Sequence, residues 1–282
     1  MASAGSAATS RGPRQLAFLT DRLPSMSAAE RKITDVLTRS PDEAISMSIT
    51  ELADRAGVSE ATISRYCRRL QFKGYQDLRI RIARELAAEE ATAGGTAENG
   101  IELAASTSAD LLNRTARLLD PARVDRAAAA ISAARRVVCV GLGASGIAAQ
   151  AAAHHLLGIG VRAESHADLH VLLGATALLD ASDVVLAFSR TGSAKDVTAC
   201  VRLAQEQGAT VISVTNASRS PVAKLSDIVL QVASEGTIGT LDSVLVQVFV
   251  LEILMRGCLE RLGPAAELAA ARVSEVIMGR LY

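Results

Sequence analysis

Hydrophobic positions follow two different patterns along this chain. From residue 27 to about residue 88, apolar side chains recur at helical spacing in short amphipathic segments, with no convincing strand. From about residue 101 onward, short β-branched runs alternate with helical stretches. The pattern therefore predicts an all-α domain followed by an α/β domain.

The apolar runs of the second part predict strands that are buried on both faces, because each run is short and apolar throughout. These runs are residues 137–141, 160–165, 183–189, 209–215 and 227–232. The lengths between them suit right-handed crossover connections. We therefore expect a five-stranded parallel sheet flanked by helices.

The first part contains a helix-turn-helix pattern. Ser48 and Glu51 form a capping box at the start of a short helix, and Gly57 suits the left-handed turn that ends it. Ser59 then caps a second helix over residues 60–70. In this motif the second helix enters the major groove of DNA. The alternative is a solvated basic helix in an all-α interaction domain.

Positive charge is concentrated on this second helix and just after it, in a chain whose formal net charge is zero. Residues 59–84 hold seven basic and two acidic side chains, a local surplus of five (7 − 2), which suits phosphate contact. Polar side chains here can reach base edges, and arginines can bind guanine or phosphate. The predicted DNA-contacting residues are Ser59, Glu60, Thr62, Ser64, Arg65, Arg68, Arg69 and Lys73.

Two loops rich in hydroxyl groups each follow a predicted strand and precede a helix. They read GLGASG (residues 141–146) and SRTGS (residues 189–193). Loops at the carboxyl ends of parallel strands meet at one edge, and helix starts with clustered hydroxyls bind anions. They suit one compact ligand with a phosphate and several hydroxyls, although each serine alone is also typical of an ordinary helix cap. The predicted ligand-binding residues are Gly143, Ser145, Ser189, Thr191, Gly192 and Ser193.

The first loop also satisfies the GxGxxG pattern of dinucleotide-binding proteins, with Glu164 some twenty residues further on. A lone match of this kind is weak, and a dinucleotide would not require the second loop. A nicotinamide-dependent dehydrogenase is therefore an alternative that ranks below both a transcriptional regulator and a phosphosugar isomerase.

Catalytic machinery is not evident. A sugar isomerase needs a base, for which histidine or glutamate can serve. The histidines are His154, His155, His166 and His170. No set of nucleophile, base and acid stands out, so we assign no catalytic residue.

Composition narrows the class further. With 49% apolar and 21% charged residues, the chain is globular rather than disordered. Its four cysteines lie far apart, outside any CxxC pair or zinc spacing, which predicts reduced, buried thiols and no metal site. No cofactor is expected either. The most apolar run, residues 244–255, is interrupted by Gln247 and Glu252 and is too short to span a bilayer. We expect a soluble, cytoplasmic protein that does not enter a membrane.

Several segments resemble a known family. Residues 47–85 resemble the N-terminal domain of RpiR-family transcriptional regulators, and further segments are similar to the SIS (sugar isomerase) domain that follows in that family. Those further segments are GLGASG, AFSRTGSAKD, GATVISVTN (residues 208–216) and SPVAKLSDIVL (residues 220–230). The resemblance covers roughly residues 20–262.

The resemblance implies that a helix-turn-helix domain is coupled to a domain that senses a phosphosugar. Carried over by position, the hydroxyls that hold the phosphosugar belong to Ser145, Ser189, Thr191 and Ser193. The family usually has serine at position 191. It often reads Ser-Arg-Ile-Ala-Gln where this chain reads SVLVQ, so Val244 replaces an arginine and leaves the identity of the ligand open.

We therefore predict a transcriptional regulator whose binding to double-stranded operator DNA is modulated by a phosphosugar or related metabolite. The alternative is a phosphosugar isomerase or another enzyme with a SIS domain. A homodimer or homotetramer is expected. The predicted segments are a flexible tail (1–20), the helix-turn-helix domain (21–88), a linker (89–103) and the SIS domain with C-terminal helices (104–282).

Overall fold

The computed structural model describes residues 16–20, 23, 26–92, 97–234 and 241–280. The first part contains α1 (Ala17–Thr20), α2 (Ala28–Arg39), α3 (Pro41–Ala44), α4 (Ile49–Ala56), α5 (Glu60–Arg69) and α6 (Tyr75–Thr92). The second part begins with α7 (Ala97–Leu118), α8 (Pro121–Ala133), β1 (Val137–Val140), α9 (Ala144–Gly158), β2 (Ala163–Glu164), α10 (Leu169–Ala177) and β3 (Val184–Phe188). It continues with α11 (Lys195–Glu206), β4 (Thr210–Thr215), α12 (Pro221–Lys224), β5 (Ile228–Gln231), α13 (Asp242–Leu262) and α14 (Pro264–Met278).

The helices of the first part enclose one apolar core. Tyr66 of α5 is almost fully buried in it, and its hydroxyl lies 2.7 Å from the hydroxyl of Thr34 on α2. Burial raises the pKa of Tyr66 to about 12, so the phenol stays neutral. This buried hydrogen bond fixes α5 against α2.

The start of the described chain corrects the predicted tail. Leu16 and Leu19, next to and within α1, are buried in the helical core. Burial of these two apolar side chains is energetically favourable and holds the segment against the core, so residues 16–20 are not a flexible tail. Residues 1–15 of that predicted tail lie outside the described residues.

The five strands form a single parallel sheet in the order β2-β1-β3-β4-β5, as predicted. Strand β2 is an edge strand with only two residues. It is shorter than the predicted run, residues 160–165, and it pairs only with β1.

Helices cover both faces of the sheet. Val137 and Cys139 of β1 face a layer that includes α8, α9 and α13, whereas Val138 and Val140 face α10 and α11. Both sides of each central strand are therefore buried, which explains the continuously apolar runs. The cysteines at positions 67, 139, 200 and 258 are all buried and unpaired.

Most of the predicted linker is helical. Residues 89–92 complete α6 and residues 97–103 begin α7, while residues 93–96 lie outside the described chain. The domain boundaries themselves stay a prediction. None of the helices in the described ranges combines the length and apolarity needed to cross a membrane.

The helical domain lies against the carboxyl edge of the sheet. Asn216, directly after β4, donates a hydrogen bond from Nδ2 to the backbone carbonyl of Ser46 at 3.2 Å. Ser234, which follows β5, places its hydroxyl 3.3 Å from that of Ser46. The same edge of the sheet carries the two hydroxyl-rich loops, so the candidate ligand site lies near the contact between the domains.

Candidate DNA interface and ligand loops

The helix-turn-helix forms as its sequence signals predict. The backbone N–H of Glu51 donates to the Ser48 hydroxyl at 3.1 Å, and the Ser48 N–H donates to the Glu51 carboxylate at 2.9 Å. Gly57 ends α4 with φ 62 and ψ 43, a left-handed conformation that a side chain would strain. The Ser59 hydroxyl then accepts from the N–H of Thr62 at 3.2 Å and starts α5.

Helix α5 turns one face inward and the other outward. Ile63, Tyr66 and Cys67 are buried against the helical core. All the residues predicted to contact DNA are at least partly exposed. Ser59, Glu60, Arg65, Arg68, Arg69 and Lys73 are exposed, and Thr62 and Ser64 are half-buried.

Some polar groups on this surface are held by neighbouring side chains. Arg69 Nη1 lies 2.6 Å from the carboxylate of Glu30 on α2. Partial burial alone would raise the pKa of Glu30, but hydrogen bonds from Ser27 and the Arg69 charge outweigh it and lower that pKa. Arg69 therefore ties α5 to α2. In the described part of the chain, the side chain of Arg68 has no such partner and remains open to solvent.

Arg79 does not belong to the positive surface, although it was counted in the sequence surplus. It is buried, and its Nε donates to the carbonyl of Ile45 at 2.9 Å. Its guanidinium also lies over the ring of Tyr75, 5.7 Å from the centroid. Burial lowers the pKa of Arg79 to about 10, so it remains charged at neutral pH and serves as a structural cation.

The two ligand loops lie at the carboxyl ends of the neighbouring strands β1 and β3. Ser145 and Ser189 are buried, whereas Thr191 and Ser193 are half-buried. Gly192 has φ +60, and a Cβ there would lie 1.9 Å from the hydroxyl oxygen of Ser220. Only glycine fits this turn, which brings the second loop close to the segment after β4.

The loop serines do not serve as ordinary helix caps. The N-cap of α9 is Gly143 and the N-cap of α11 is Ala194, and neither helix start receives a hydrogen bond from a capping side chain. By contrast, the Asp168 carboxylate caps α10 through the N–H groups of two residues. The Ser145 and Ser189 hydroxyls therefore do not cap these helices. The backbone N–H groups in the first turns of α9 and α11 receive no side-chain cap.

Gln247 of α13 contacts the first candidate ligand loop, although it is not among the residues predicted from the sequence to bind a ligand. It is fully buried, and its Nε2 donates to the Ser145 hydroxyl at 3.0 Å. Its Oε1 is buried with no hydrogen-bond partner. The available signal was a glutamine inside the apolar run 244–255, which is unusual for a residue that only packs.

Arg190 lies in the second loop but is not an exposed loop arginine. The residue is half-buried, and its Nη1 is buried without a hydrogen-bond partner. Burial lowers its pKa. The Arg190 carbonyl accepts hydrogen bonds from the Asn216 N–H at 3.0 Å and the Thr215 hydroxyl at 3.1 Å. These bonds pull the loop onto the end of β4.

The acidic residue and three of the histidines that a dehydrogenase or an isomerase would use contact other side chains. Glu164, the acidic residue of the dinucleotide pattern, lies 3.1 Å from His166 and 3.6 Å from Arg136. His154 and His155 are exposed and stack edge to face, with ring centroids 5.2 Å apart. Among the described residues, no group of three or more His, Cys, Asp or Glu side chains is arranged to hold a metal ion.

A helix-turn-helix domain followed by a SIS domain defines a class of two-domain transcriptional regulators. The model of the rpiR-family helix-turn-helix domain matches residues 14–89, and the SIS domain model matches residues 130–256. The chain is 31% identical over 273 residues to the HTH-type transcriptional regulator HexR of Pseudomonas aeruginosa, covering 94% of this chain and 95% of that protein. It is also 31% identical to YbbH of Bacillus subtilis, an uncharacterised HTH-type transcriptional regulator, over 86% of this chain and 89% of that protein. The chain belongs to the RpiR family and is a transcriptional regulator, as predicted.

Solved structures agree with this assignment. The Vibrio vulnificus NanR protein complexed with ManNAc-6P superposes with a TM-score of 0.80 at 28% identity, covering 93% of this chain and 97% of that chain. The sugar isomerase domain of an RpiR transcription factor from Sphaerobacter thermophilus gives a TM-score of 0.56 at 26% identity, covering 60% of this chain and 95% of that domain. The match to NanR extends through both domains.

Proposed function

We propose that this regulator binds double-stranded operator DNA through α5 and that a phosphosugar or related phosphorylated metabolite modulates this binding. The effector binds at the loops 141–146 and 189–193. The observation that carries the effector site is that the buried hydroxyls of Ser145 and Ser189 lie in loops that join two neighbouring strands to helices without side-chain caps. Such a site offers backbone N–H groups and hydroxyl donors to a phosphate.

On the DNA side, the residues divide by chemistry. Ser59, Glu60, Thr62 and Ser64 lie in the first half of α5, which enters the major groove in this motif and reaches base edges. Arg65, Arg68, Arg69 and Lys73 supply positive charge for phosphates or guanine. Arg69 does so while it stays paired with Glu30, so we expect it to orient the helix as well as to contact DNA.

On the effector side, Gln247 orients the hydroxyl group of Ser145. Because Nε2 of Gln247 donates to the Ser145 oxygen, the hydroxyl proton of Ser145 points elsewhere and can bind a phosphate oxygen. Ser189, Thr191 and Ser193 add hydroxyls from the second loop, and the turn at Gly192 brings them together. NanR, whose structure holds ManNAc-6P, has the same fold over both domains, which supports a sugar phosphate as the ligand class.

We propose that the chain acts as a regulator and not as an enzyme, since its relatives are transcriptional regulators. Within the described residues, the loop hydroxyls bond to the Gln247 amide and to the backbone carbonyl of Thr191, and none of them bonds to a carboxylate or an imidazole. A sugar isomerase would need such a base.

We further propose a homodimer or homotetramer, because operator sites for this motif are commonly two-fold symmetric. Helix α14 buries only Ala266 against the rest of the protomer. Its exposed apolar residues suit a partner subunit. They are Leu268, Val273, Val276, Ile277 and Met278. The helix-turn-helix domain would span residues 21–88 and the SIS domain residues 104–282.

The test is a gel-shift titration on DNA from around the regulator's own gene, at fixed salt, with and without a panel of sugar phosphates. A specific shift that one compound alters is the expected result. Ser189→Ala should blunt this response and leave operator binding intact, because the Ser189 hydroxyl belongs to the second loop and not to the DNA-contacting surface of α5. Absence of a shift on every fragment contradicts DNA binding. A shift that no compound alters contradicts the effector site, and turnover of an aldose or ketose phosphate would favour the isomerase alternative.

A further inference from the structure

A short turn after β4 holds the helical domain. This coupling turn (residues 215–222) contributes two side-chain contacts across the domain boundary. Asn216 Nδ2 donates to the Ser46 carbonyl at 3.2 Å, and Arg219 Nη1 lies 3.0 Å from the Asp54 carboxylate. Ser46 lies just before α4 and Asp54 lies on it. Helix α4 is the first helix of the DNA-binding motif and packs directly against α5.

The opposite side of the coupling turn holds the second ligand loop. The Asn216 N–H and the Thr215 hydroxyl both donate to the carbonyl of Arg190. The Val222 N–H donates to the carbonyl of Gly192 at 3.0 Å. Asn216 therefore bonds the loop through its backbone and the helical domain through its side chain.

The contact between the domains also contains unfavourable features. Asn216 Oδ1 and Arg190 Nη1 are buried with no hydrogen-bond partner. Burial is the main cause that lowers the pKa of Arg79, and the positive charge of Arg190 on the other domain lowers it further. Two cations thus repel each other across the boundary. A contact with unpaired groups and like charges is readily shifted by a ligand that favours another arrangement.

Packing between the domains is incomplete as well. A cavity of about 430 Å³ lies between them, and its lining includes Ser46, Glu51, Asn216, Gln231 and Ser234. The hydrogen bonds of Asn216 and Ser234 to Ser46 lie at its wall, so these few polar contacts substitute for close packing. Small movements of the turn can be accommodated without opening a well-packed core.

We propose that the coupling turn transmits the state of the ligand loop to the DNA-binding motif. A ligand that moves the carbonyls of Arg190 and Gly192 displaces Asn216 and Arg219, which changes their hold on Ser46 and Asp54. This mechanism rests on the proposed effector site at residues 189–193. The coupling is reciprocal, so a change at the helical domain must also alter the ligand loop.

The reciprocity allows a test without any effector. Hydrogen exchange would be measured on peptides that cover residues 46–56 and 187–194 in the full chain. Asn216→Ala and Arg219→Asp are each expected to speed exchange in both peptides, and Asp54→Arg combined with Arg219→Asp should restore it. Arg256→Ala, which breaks an exposed pair with Glu252 on α13, is the matched control and should change neither peptide. Faster exchange at 46–56 with unchanged exchange at 187–194 overturns the inference.

A second arm uses gel shift and calorimetry with glucose 6-phosphate, fructose 6-phosphate and ManNAc-6P as probes. With a probe that alters the gel shift of the wild type, Asn216→Ala should still bind the probe in calorimetry, while the effect of the bound probe on operator affinity falls roughly tenfold. An unchanged effect in this variant also overturns the inference. If no probe alters the wild-type shift but both peptides respond as expected, the effector proposal fails and the coupling turn stands.

Discussion

The side-chain amide of Gln247 lies 3.0 Å from the hydroxyl of Ser145, although the two residues are 102 positions apart. The contact connects the long helix α13 to the first ligand loop. It orients the Ser145 hydroxyl and leaves the other polar atom of the amide, Oε1, buried and unpaired. An unpaired buried carbonyl oxygen is costly, so in the proposed effector site we expect a ligand hydroxyl to donate to this acceptor.

Gln247→Leu should therefore weaken binding of the sugar phosphate. The loss of one or two hydrogen bonds corresponds to about a tenfold lower affinity. Operator affinity without the effector should stay unchanged. Calorimetric titration with the responsive sugar phosphate measures this, and Glu252→Gln on the exposed side of the same helix is the control. Equal affinities in wild type and Gln247→Leu would remove this residue from the site.

Arg68→Ala should weaken operator binding and reduce its dependence on salt. If Arg68 contacts one phosphate, the slope of log affinity against log salt should fall by about one. Gel shifts at several salt concentrations measure both quantities. Arg39→Ala, at an exposed pair with Asp35 on α2, is the control. A slope that matches wild type would exclude a phosphate contact for Arg68, and equal affinity would take it out of the interface.

Gly192→Ala should destabilise the protein more than Gly57→Ala. Both glycines have positive φ, which costs an alanine roughly 1–2 kcal/mol. At Gly57 nothing lies within 4 Å of the added Cβ, whereas at Gly192 the Ser220 oxygen would lie 1.9 Å away. Thermal unfolding of the two variants compares them directly. Similar losses of stability would show that the coupling turn yields to the new methyl group.

Acid should destabilise the SIS domain through Asp183. Its carboxylate is buried, which favours a higher pKa, but hydrogen bonds from Arg135 at 3.0 and 2.6 Å and from the Asp180 N–H lower the pKa overall. A folded-state pKa below the unfolded value of about 3.9 contributes stability above that value, and this contribution is lost as pH falls through the folded pKa.

Denaturant unfolding between neutral and acidic pH checks this prediction. Wild type should lose stability below about pH 4, and Asp183→Asn should be less stable at neutral pH with a flatter acid dependence. Asp42→Asn, on the helical domain, is a comparison at an aspartate of a different domain. An acid dependence of Asp183→Asn that parallels wild type would show that other carboxylates dominate.

Local signals were sufficient to predict the fold. Ser48, Gly57 and Ser59 each fix one point of the helix-turn-helix through bonds to residues only a few positions away. The strands were predictable because burial on both faces leaves a continuous apolar run. Only the edge strand β2, with a single neighbour, is much shorter than its run.

The parts that sequence could not predict depend on distant partners. Gln247 is visible in the sequence as a polar interruption of an apolar run, but its hydrogen-bond partner, Ser145, lies on another element. Arg79 was counted with the exposed arginines because the Ile45 carbonyl that buries it is far away in sequence. Leu16 and Leu19 follow a polar, small-residue stretch and gave too short an apolar pattern to predict α1.

The four buried cysteines make the chain a reporter of its own local opening. Cys67 lies in the helical core, Cys139 and Cys258 lie under one face of the sheet, and Cys200 lies under the other. Burial raises all four thiol pKa values, to about 12 for Cys139, so little reactive thiolate forms while the cores stay closed. Each thiol will therefore react with a labelling reagent only when its own core opens. The labelling rate of each cysteine, measured by mass spectrometry of its peptide, reports how often the core around it opens. Three separate regions of the unmodified regulator can be followed in this way.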